Sequence, residues 1–151
     1  MADLQARLAA LNADYARCID DDRLEEWPGF FVERCVYKIT TADNVAQGYE
    51  AGLIYADSRA MLQDRVSALR EANVYERQRY RHILGTPAQL ADGVLETSFL
   101  VVRIMRDGKM DLFATGRYLD RVSEEKESLK FAERIVVCDS SRFDTLLAIP
   151  L

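Results

Sequence analysis

The sequence contains a single histidine, His82, among 151 residues, and this count limits the metal chemistry that one copy of the chain can support. A mononuclear iron facial triad needs two histidines and a carboxylate, and the common zinc sites draw on several histidines or cysteines. The three cysteines, Cys18, Cys35 and Cys138, form no Cys-x-x-Cys pair, and we interpret them as buried free thiols. The sequence therefore predicts no metal-binding residues in this chain.

General acid–base catalysis is a second kind of chemistry to consider, because His82 and three other polar residues fall on segments that favour strands. The other three are Tyr37, Tyr118 and Asp120, which would form an interior site if their side chains converged. Two further interpretations of His82 are a hydrogen-bonded structural histidine and a contact across a subunit boundary. The chain has no nucleophile-elbow motif and no glycine-rich phosphate loop, so covalent and nucleotide chemistry have less support.

Three helices are predicted in the first half of the chain. Leucines at helical spacing indicate a helix over residues 3–19. The acidic run Asp20-Asp21-Asp22 is interpreted as the cap of a short second helix, which begins directly after it and is closed by Pro28-Gly29. An N-cap at Asp57-Ser58 begins a third helix, for which Asn73 is the expected end.

The remainder of the chain is predicted to form strands. Residues 35–40 are rich in strand-forming residues, and long strand-like segments follow one another from Arg79 to Cys138. Turns between these segments are predicted at Asp92-Gly93, Asp107-Gly108 and Glu124-Glu125-Lys126. Helices followed by a meander indicate an α+β fold, with the N-terminal helices packed on one face of a curved, mainly antiparallel sheet.

One face of the predicted sheet mixes aromatic, aliphatic and arginine side chains. This predicted face consists of Arg103, Phe113, Arg117, Leu119 and Phe131. Such a blend is typical of protein–protein interfaces, and we interpret the face as a subunit contact.

Composition and charge restrict the partners and the location. The formal net charge is −5 and the isoelectric point is near 5.0, whereas a nucleic-acid-binding domain is expected to be basic. The N-terminal residues lack the features of a signal peptide, and no apolar run approaches the length that spans a bilayer. The sequence therefore predicts a single cytoplasmic domain over residues 1–151, with no nucleic-acid or membrane partner.

Several segments resemble the beta subunits of Rieske-type aromatic-ring-hydroxylating dioxygenases. Residues 56–69 are similar to the Asp-x-Arg-x-x-Leu-x-x-Arg-Val-x-x-Leu helix of that family. The matching positions are Asp57, Arg59, Leu62, Arg65, Val66 and Leu69. Residues 79–85 resemble the family's arginine-rich strand, residues 134–140 its final strand, and residues 14–27 its opening helix pair.

The resemblance covers essentially the full chain, with one visible departure. Family members often carry Pro-x-Ser-Arg before the arginine-rich strand, whereas this chain reads Glu76-Arg77-Gln78-Arg79. The departure concerns the approach to that strand and leaves the fold expectation intact. Within the family, the similarity is greatest to small subunits of the terephthalate type.

The resemblance implies a cone-like fold of the kind found in nuclear transport factor 2 and scytalone dehydratase. It also implies a trimer of this chain within an α3β3 hexamer, whose large (alpha) subunit holds a Rieske [2Fe-2S] cluster and a mononuclear iron. The small subunit is then structural and carries no catalytic, cofactor-binding or metal-binding residues, which agrees with the single histidine. The candidates for subunit contact are Trp27, Arg81, His82 and Arg117.

The same fold leaves an alternative of a different class. A stand-alone dehydratase or isomerase would build an acid–base site inside the cone, and the four polar residues named above would supply it.

Overall fold

The fold is built from helices at the N-terminal side of the chain and a sheet formed mainly by its second half. The computed structural model describes residues 2–49, 52–72, 78–141 and 149–151. The helices are α1 (Ala2–Asp20), α2 (Ala42–Ala46) and α3 (Arg59–Glu71), with 3₁₀ helices at Leu24–Phe30 and Ala91–Gly93. The strands are β1 (Phe31–Thr41), β2 (Ile54–Ala56), β3 (Gln78–Leu84), β4 (Ala88–Gln89), β5 (Leu95–Met105), β6 (Met110–Glu125) and β7 (Ser128–Cys138).

The strands form one sheet in the order β2-β1-β7-β6-β5-β3, with β4 paired to β5. All pairs are antiparallel except β1 with β7, which run parallel. Helices α1 and α3 pack over the inner face of this sheet, together with the first 3₁₀ helix. The predicted α+β architecture, with helices on one face of a mainly antiparallel sheet, is confirmed.

The turns explain why the strands of the second half follow one another so closely. Asp92 and Gly93 both adopt positive φ, at 65° and 75°, and Gly108 does so at 89°. The third turn lies at Lys126 and Glu127, with φ of 50° and 67°, one to two residues later than the centre of the predicted one. All three predicted turns exist, and the last one is shifted.

The predicted helices exist with small corrections. The Ser58 hydroxyl caps α3 by accepting a hydrogen bond from the N–H of Met61 at 3.2 Å. Helix α3 ends at Glu71, and the predicted end at Asn73 lies outside the described residues. The predicted acidic cap of the second helix is wrong, because Arg23 holds the N-cap position and makes no side-chain cap bond. Pro28 and Gly29 lie inside that 3₁₀ helix and do not close it.

The core lies between the helices and the concave inner face of the sheet. Trp27, Phe31, Tyr37 and Phe131 have at most 1% exposure and pack edge-on or tilted against one another. The three cysteines are buried free thiols, as predicted. A polar cluster lies within this aromatic core.

Candidate functional site

His82 forms a tight pair with Asp20, the last residue of α1. The Nδ1 atom of His82 lies 2.7 Å from Oδ1 of Asp20, and the backbone N–H of His82 donates to Oδ2 at 2.9 Å. The His82 side chain is fully buried and that of Asp20 is 8% exposed. The carboxylate thus fixes the orientation of the imidazole ring, as in many acid–base pairs. The remaining ring nitrogen, Nε2, is buried and has no hydrogen-bond partner within the described part of the chain.

Arg134 and Asp120 form a second, deeper pair on neighbouring strands. The guanidinium donates twice to the carboxylate, from Nε and Nη2 at 2.8 Å each, and both side chains are fully buried. Nη2 also donates to Asn12 on α1, whose amide donates to Thr97 on β5 at 3.2 Å. Burial raises the pKa of Asp120, and the charge and hydrogen bonds of Arg134 oppose that rise. Burial lowers the pKa of Arg134, but Asp120 more than offsets this and the net shift is upward.

Aromatic rings surround the Arg134 guanidinium. Its central carbon lies 3.8 Å from the ring centroid of Tyr118, 3.9 Å from Phe131 and 4.5 Å from Tyr15. Burial raises the pKa of Tyr15, Tyr37 and Tyr118, so their hydroxyls stay protonated at neutral pH and can donate. Tyr15 and Tyr37 donate to the main-chain oxygen of Leu151, at 2.8 and 2.9 Å.

The four residues considered for an interior acid–base site share the inner side of the sheet but form no single hydrogen-bonded group. His82 pairs with Asp20, Asp120 pairs with Arg134, and the Tyr37 hydroxyl is bonded to Leu151. The Tyr118 hydroxyl is buried and has no partner among the described residues. Among the four residues, as the described part of the chain places them, only the oriented imidazole of His82 resembles acid–base machinery.

The four candidates for subunit contact occupy different environments. Trp27 is 1% exposed and His82 7%, so neither offers a surface to a partner in this conformation. Arg81 is exposed on the outer side of β3. Arg117 is also on the outer side and donates to Glu96 across the strand pair at 2.9 Å.

The mixed sheet face predicted from the sequence is wrong as a group, because three of its members lie on the inner side. Arg103 is 3% exposed and pairs with Asp111, Phe113 stacks on Tyr80 at 5.4 Å, and Phe131 is fully buried. Register shifts explain two of the three: one leaves Phe113 of β6 as an extra residue opposite Val101 and Val102, and the other leaves Ala132 of β7 as an extra residue opposite Arg121 and Val122. Arg103 continues the regular inward alternation of β5. Each bulge inserts one residue and reverses the inside–outside alternation beyond it.

The outer side of the sheet instead carries an apolar surface that the sequence analysis missed. Leu112 is 74% exposed, Met110 69% and Ile83 56%. The strand register places Ile83 beside Leu100, Val102 beside Leu112 and Ile104 beside Met110. We call these residues, together with the adjacent Arg79 and Arg81, the outer patch. Alternation with a period of two residues along each strand could have located this surface in the sequence. The bulge near Phe113 hides it, because it interrupts the alternation along β6.

Two other kinds of site are absent from the described residues. They contain no group of three or more histidine, cysteine, aspartate or glutamate side chains that could hold a metal ion. None of the helices in the described ranges is both long enough and apolar enough to cross a membrane.

The architecture and the sequence both match known proteins. A family model described as "Ring hydroxylating beta subunit" matches residues 14–145. The chain is 50% identical to the terephthalate 1,2-dioxygenase terminal oxygenase component subunit beta 1 of Comamonas sp., over 97% of this chain and 98% of that protein. A crystal structure described as the beta subunit of an aromatic-ring-hydroxylating dioxygenase from Novosphingobium aromaticivorans has a TM-score of 0.88 and 36% identity, covering 98% of this chain and 97% of that one.

A more distant structure shows the breadth of the fold. A protein of Novosphingobium aromaticivorans described as a scytalone dehydratase has a TM-score of 0.69 with 16% identity, covering 99% of this chain and 95% of that one. The class is therefore the cone-like α+β fold expected from the resemblance. Within that class, the chain belongs to the ring hydroxylating beta subunit family.

Proposed function

We propose that this chain is the structural small subunit of an aromatic-ring-hydroxylating dioxygenase of the terephthalate type. The observation that carries the proposal is the 50% identity to a terephthalate 1,2-dioxygenase beta subunit along nearly the whole of both chains. The substrate would be an aromatic acid that is cis-dihydroxylated on the large subunit. The Rieske [2Fe-2S] cluster and the mononuclear iron would belong to that large subunit, and this chain would contribute no catalytic residue.

The outer patch supports a role in assembly. Soluble proteins seldom leave a row of large apolar side chains in water unless a partner covers them. Arginines next to apolar side chains are enriched at protein interfaces. Arg81 lies beside Val102 within the outer patch, and Arg117 lies beside Ser98 at one end of it. We infer a trimer of this chain inside an α3β3 hexamer in the cytoplasm, with Arg81 and Arg117 as contact residues.

Co-expression with a Rieske-type large subunit of a terephthalate dioxygenase tests the proposal. The wild-type chain is expected to co-purify in equal ratio with a brown, iron-containing partner, at the mass of a hexamer. Leu112→Asp places a charge in the middle of the outer patch, and we expect it to lose most of the hexamer in native mass spectrometry, because burying an unpaired charge is costly.

The matched control is Leu53→Asp, at an exposed leucine (49%) that hydrogen-bonds through its backbone to β1, toward the opposite edge of the sheet. This variant is expected to assemble normally. A hexamer that forms equally well with both variants would exclude the outer patch as the contact surface. A colourless homo-oligomer with no large partner would contradict the subunit assignment itself.

A stand-alone dehydratase or isomerase is the second candidate function. The specific observation in its favour is the buried His82 imidazole, oriented by Asp20 and with Nε2 left unpaired within the described residues. Its weakness is the hydrogen-bonded state of the other interior groups, since Tyr37 and Asp120 are already paired.

A further inference from the structure

The interior of the cone holds a short segment of the chain itself, residues 149–151. Leu151 is fully buried and Ile149 is 8% exposed. The hydroxyls of Tyr15 and Tyr37 donate to the main-chain oxygen of Leu151 at 2.8 and 2.9 Å, and its N–H donates to the Tyr37 oxygen at 3.2 Å. The hydroxyl of Tyr80 reaches the oxygen of Ile149 at 3.5 Å. Tyrosine side chains, and not strand pairing, therefore hold the segment.

The donors around Leu151 converge in a way that suits an oxyanion. Two buried phenols donate to one oxygen atom, and the Arg134 guanidinium lies against the Tyr15 ring at 4.5 Å. Hydrogen bonds from such donors are shorter and stronger when the acceptor carries a negative charge.

Two further polar groups near the phenols of Tyr15 and Tyr37 form no hydrogen bond that the structure shows. The Tyr118 hydroxyl and Nη1 of Arg134 are buried and form no hydrogen bond within the described residues. The ring of Tyr118 lies 6.2 Å from that of Tyr15, so these groups belong to the same part of the interior. Buried polar groups are normally satisfied, and the surplus here consists of a guanidinium donor and a hydroxyl that can donate or accept.

Aromatic rings form the apolar side of the same space. The Tyr37 ring packs on Trp27 at 5.1 Å and on Phe31 at 5.7 Å, and Phe31 also contacts the Tyr15 ring at 6.2 Å. The branched side chain of Leu151 is buried beside these rings. A molecule that fits must therefore combine an acidic head with a compact apolar body.

We propose that the interior of the cone is a binding site for a small carboxylate with a compact apolar body, and that residues 149–151 occupy this site as an intramolecular ligand. The carboxylate would take the place of the Leu151 oxygen between Tyr15 and Tyr37. The apolar body would take the place of the Leu151 side chain. The inference is independent of any large subunit, because every contact lies within this chain.

The probe is 4-methylpentanoate, which has the side chain of leucine and a carboxylate but no amino group. An intramolecular ligand has an effective concentration in the millimolar range, so the native segment competes strongly with the probe. Leu151→Lys places a cation near Arg134 and is expected to release the segment. We expect this variant to bind 4-methylpentanoate in calorimetry, and the neutral 4-methylpentanamide roughly tenfold more weakly, since a hydrogen bond to a charged group is worth more.

Two controls make the test specific. Adding Tyr37→Phe to Leu151→Lys removes one donor and is expected to weaken binding of the carboxylate about tenfold. In the wild-type chain, excess 4-methylpentanoate is expected to speed hydrogen exchange at the Leu151 amide several-fold, whereas the amide probe leaves it unchanged. This wild-type measurement decides the question if the lysine variant does not fold. Equal binding of both probes, or no binding of either probe to a folded variant, would overturn the proposal. If the variant does not fold, an unchanged exchange rate at the Leu151 amide of the wild-type chain would overturn it.

Discussion

At the scale of single residues, one oxygen of Asp20 contacts the ring of His82 and the other accepts from its backbone N–H. This geometry fits two roles for His82: a structural residue that joins α1 to β3, or a base whose ring is held in one orientation. Two substitutions separate these roles. His82→Asn keeps a side-chain donor near Asp20 and removes Nε2, whereas His82→Ala leaves the buried carboxylate without its ring partner. If the role is structural, the alanine variant should lose about 1–3 kcal/mol of unfolding free energy and the asparagine variant much less.

The activity of the assembled dioxygenase supplies the second readout for His82. In the proposed function, all catalytic residues belong to the large subunit. His82→Asn should therefore leave the turnover number of the purified hexamer unchanged. A large loss of turnover in a hexamer that assembles and unfolds normally would favour an acid–base role for Nε2.

At the scale of secondary-structure elements, the sequence predicts one helix and most of the turns correctly, but it does not predict the bulges or the parallel strand pair. Helix α1 and the turns at Asp92-Gly93 and Asp107-Gly108 follow local rules, since helical spacing and Asp-Gly pairs are visible in the sequence. The third turn, at Lys126 and Glu127, contains no glycine and is shifted from the prediction. The bulges were not visible, because Leu112, Phe113 and Ala114 are all apolar and fit either face. The parallel pairing of β1 with β7 joins distant parts of the chain, and no local pattern encodes it.

The same distinction applies to the interior site. The individual residues His82, Tyr37, Tyr118 and Asp120 were identified from polar types on strand segments, but their partners were not. The sequence predicts a helix cap at Asp20 and a strand at Arg134, and neither prediction indicates the partner of the residue. Such partners come from other elements, so tertiary packing decides them.

Strand β6 has a close approach that tests its central position in the sheet. A Cβ atom added at Gly116 would lie 2.1 Å from the main-chain oxygen of Val137 and 3.0 Å from the ring of Phe99. Backbone cannot yield as a flexible side chain does, so Gly116→Ala should destabilise the chain by about 1–3 kcal/mol or more in urea unfolding. Gly29→Ala is the control, since its Cβ would meet nothing within 4 Å, and a change within about 0.5 kcal/mol is expected there. Equal stabilities of the two variants would show that β6 and β7 do not pack as described.

At the scale of the whole molecule, the interior polar groups connect the helices to the sheet. Asn12, Tyr15 and Asp20 all lie on α1 and bond to groups on β5, β7, β3 or the 149–151 segment. Buried pairs of this kind fix one arrangement of helix against sheet, since breaking either partner leaves an uncompensated polar group. A rigid scaffold is what a structural subunit requires, and the outer patch is then presented on a fixed surface.

The buried thiols make the stability of the whole molecule depend on alkaline pH. Burial raises the pKa of Cys18 to about 11 and that of Cys138 to about 12, from an ordinary value of 9.0. Above pH 9 the unfolded chain releases these protons while the native chain keeps them, so unfolding becomes easier as the pH rises toward 11 or 12. The protonated thiols make their full contribution to the free energy of unfolding well below pH 9, and about 1–2 kcal/mol per thiol should be lost between pH 8 and pH 10.

Urea unfolding at the two pH values measures this loss. The double variant Cys18→Ala, Cys138→Ala should show a substantially smaller loss, even though it is less stable than the wild-type chain at pH 8. Unfolding free energies that are equal at pH 8 and pH 10 in the wild-type chain would show that these thiols are not buried in the native state.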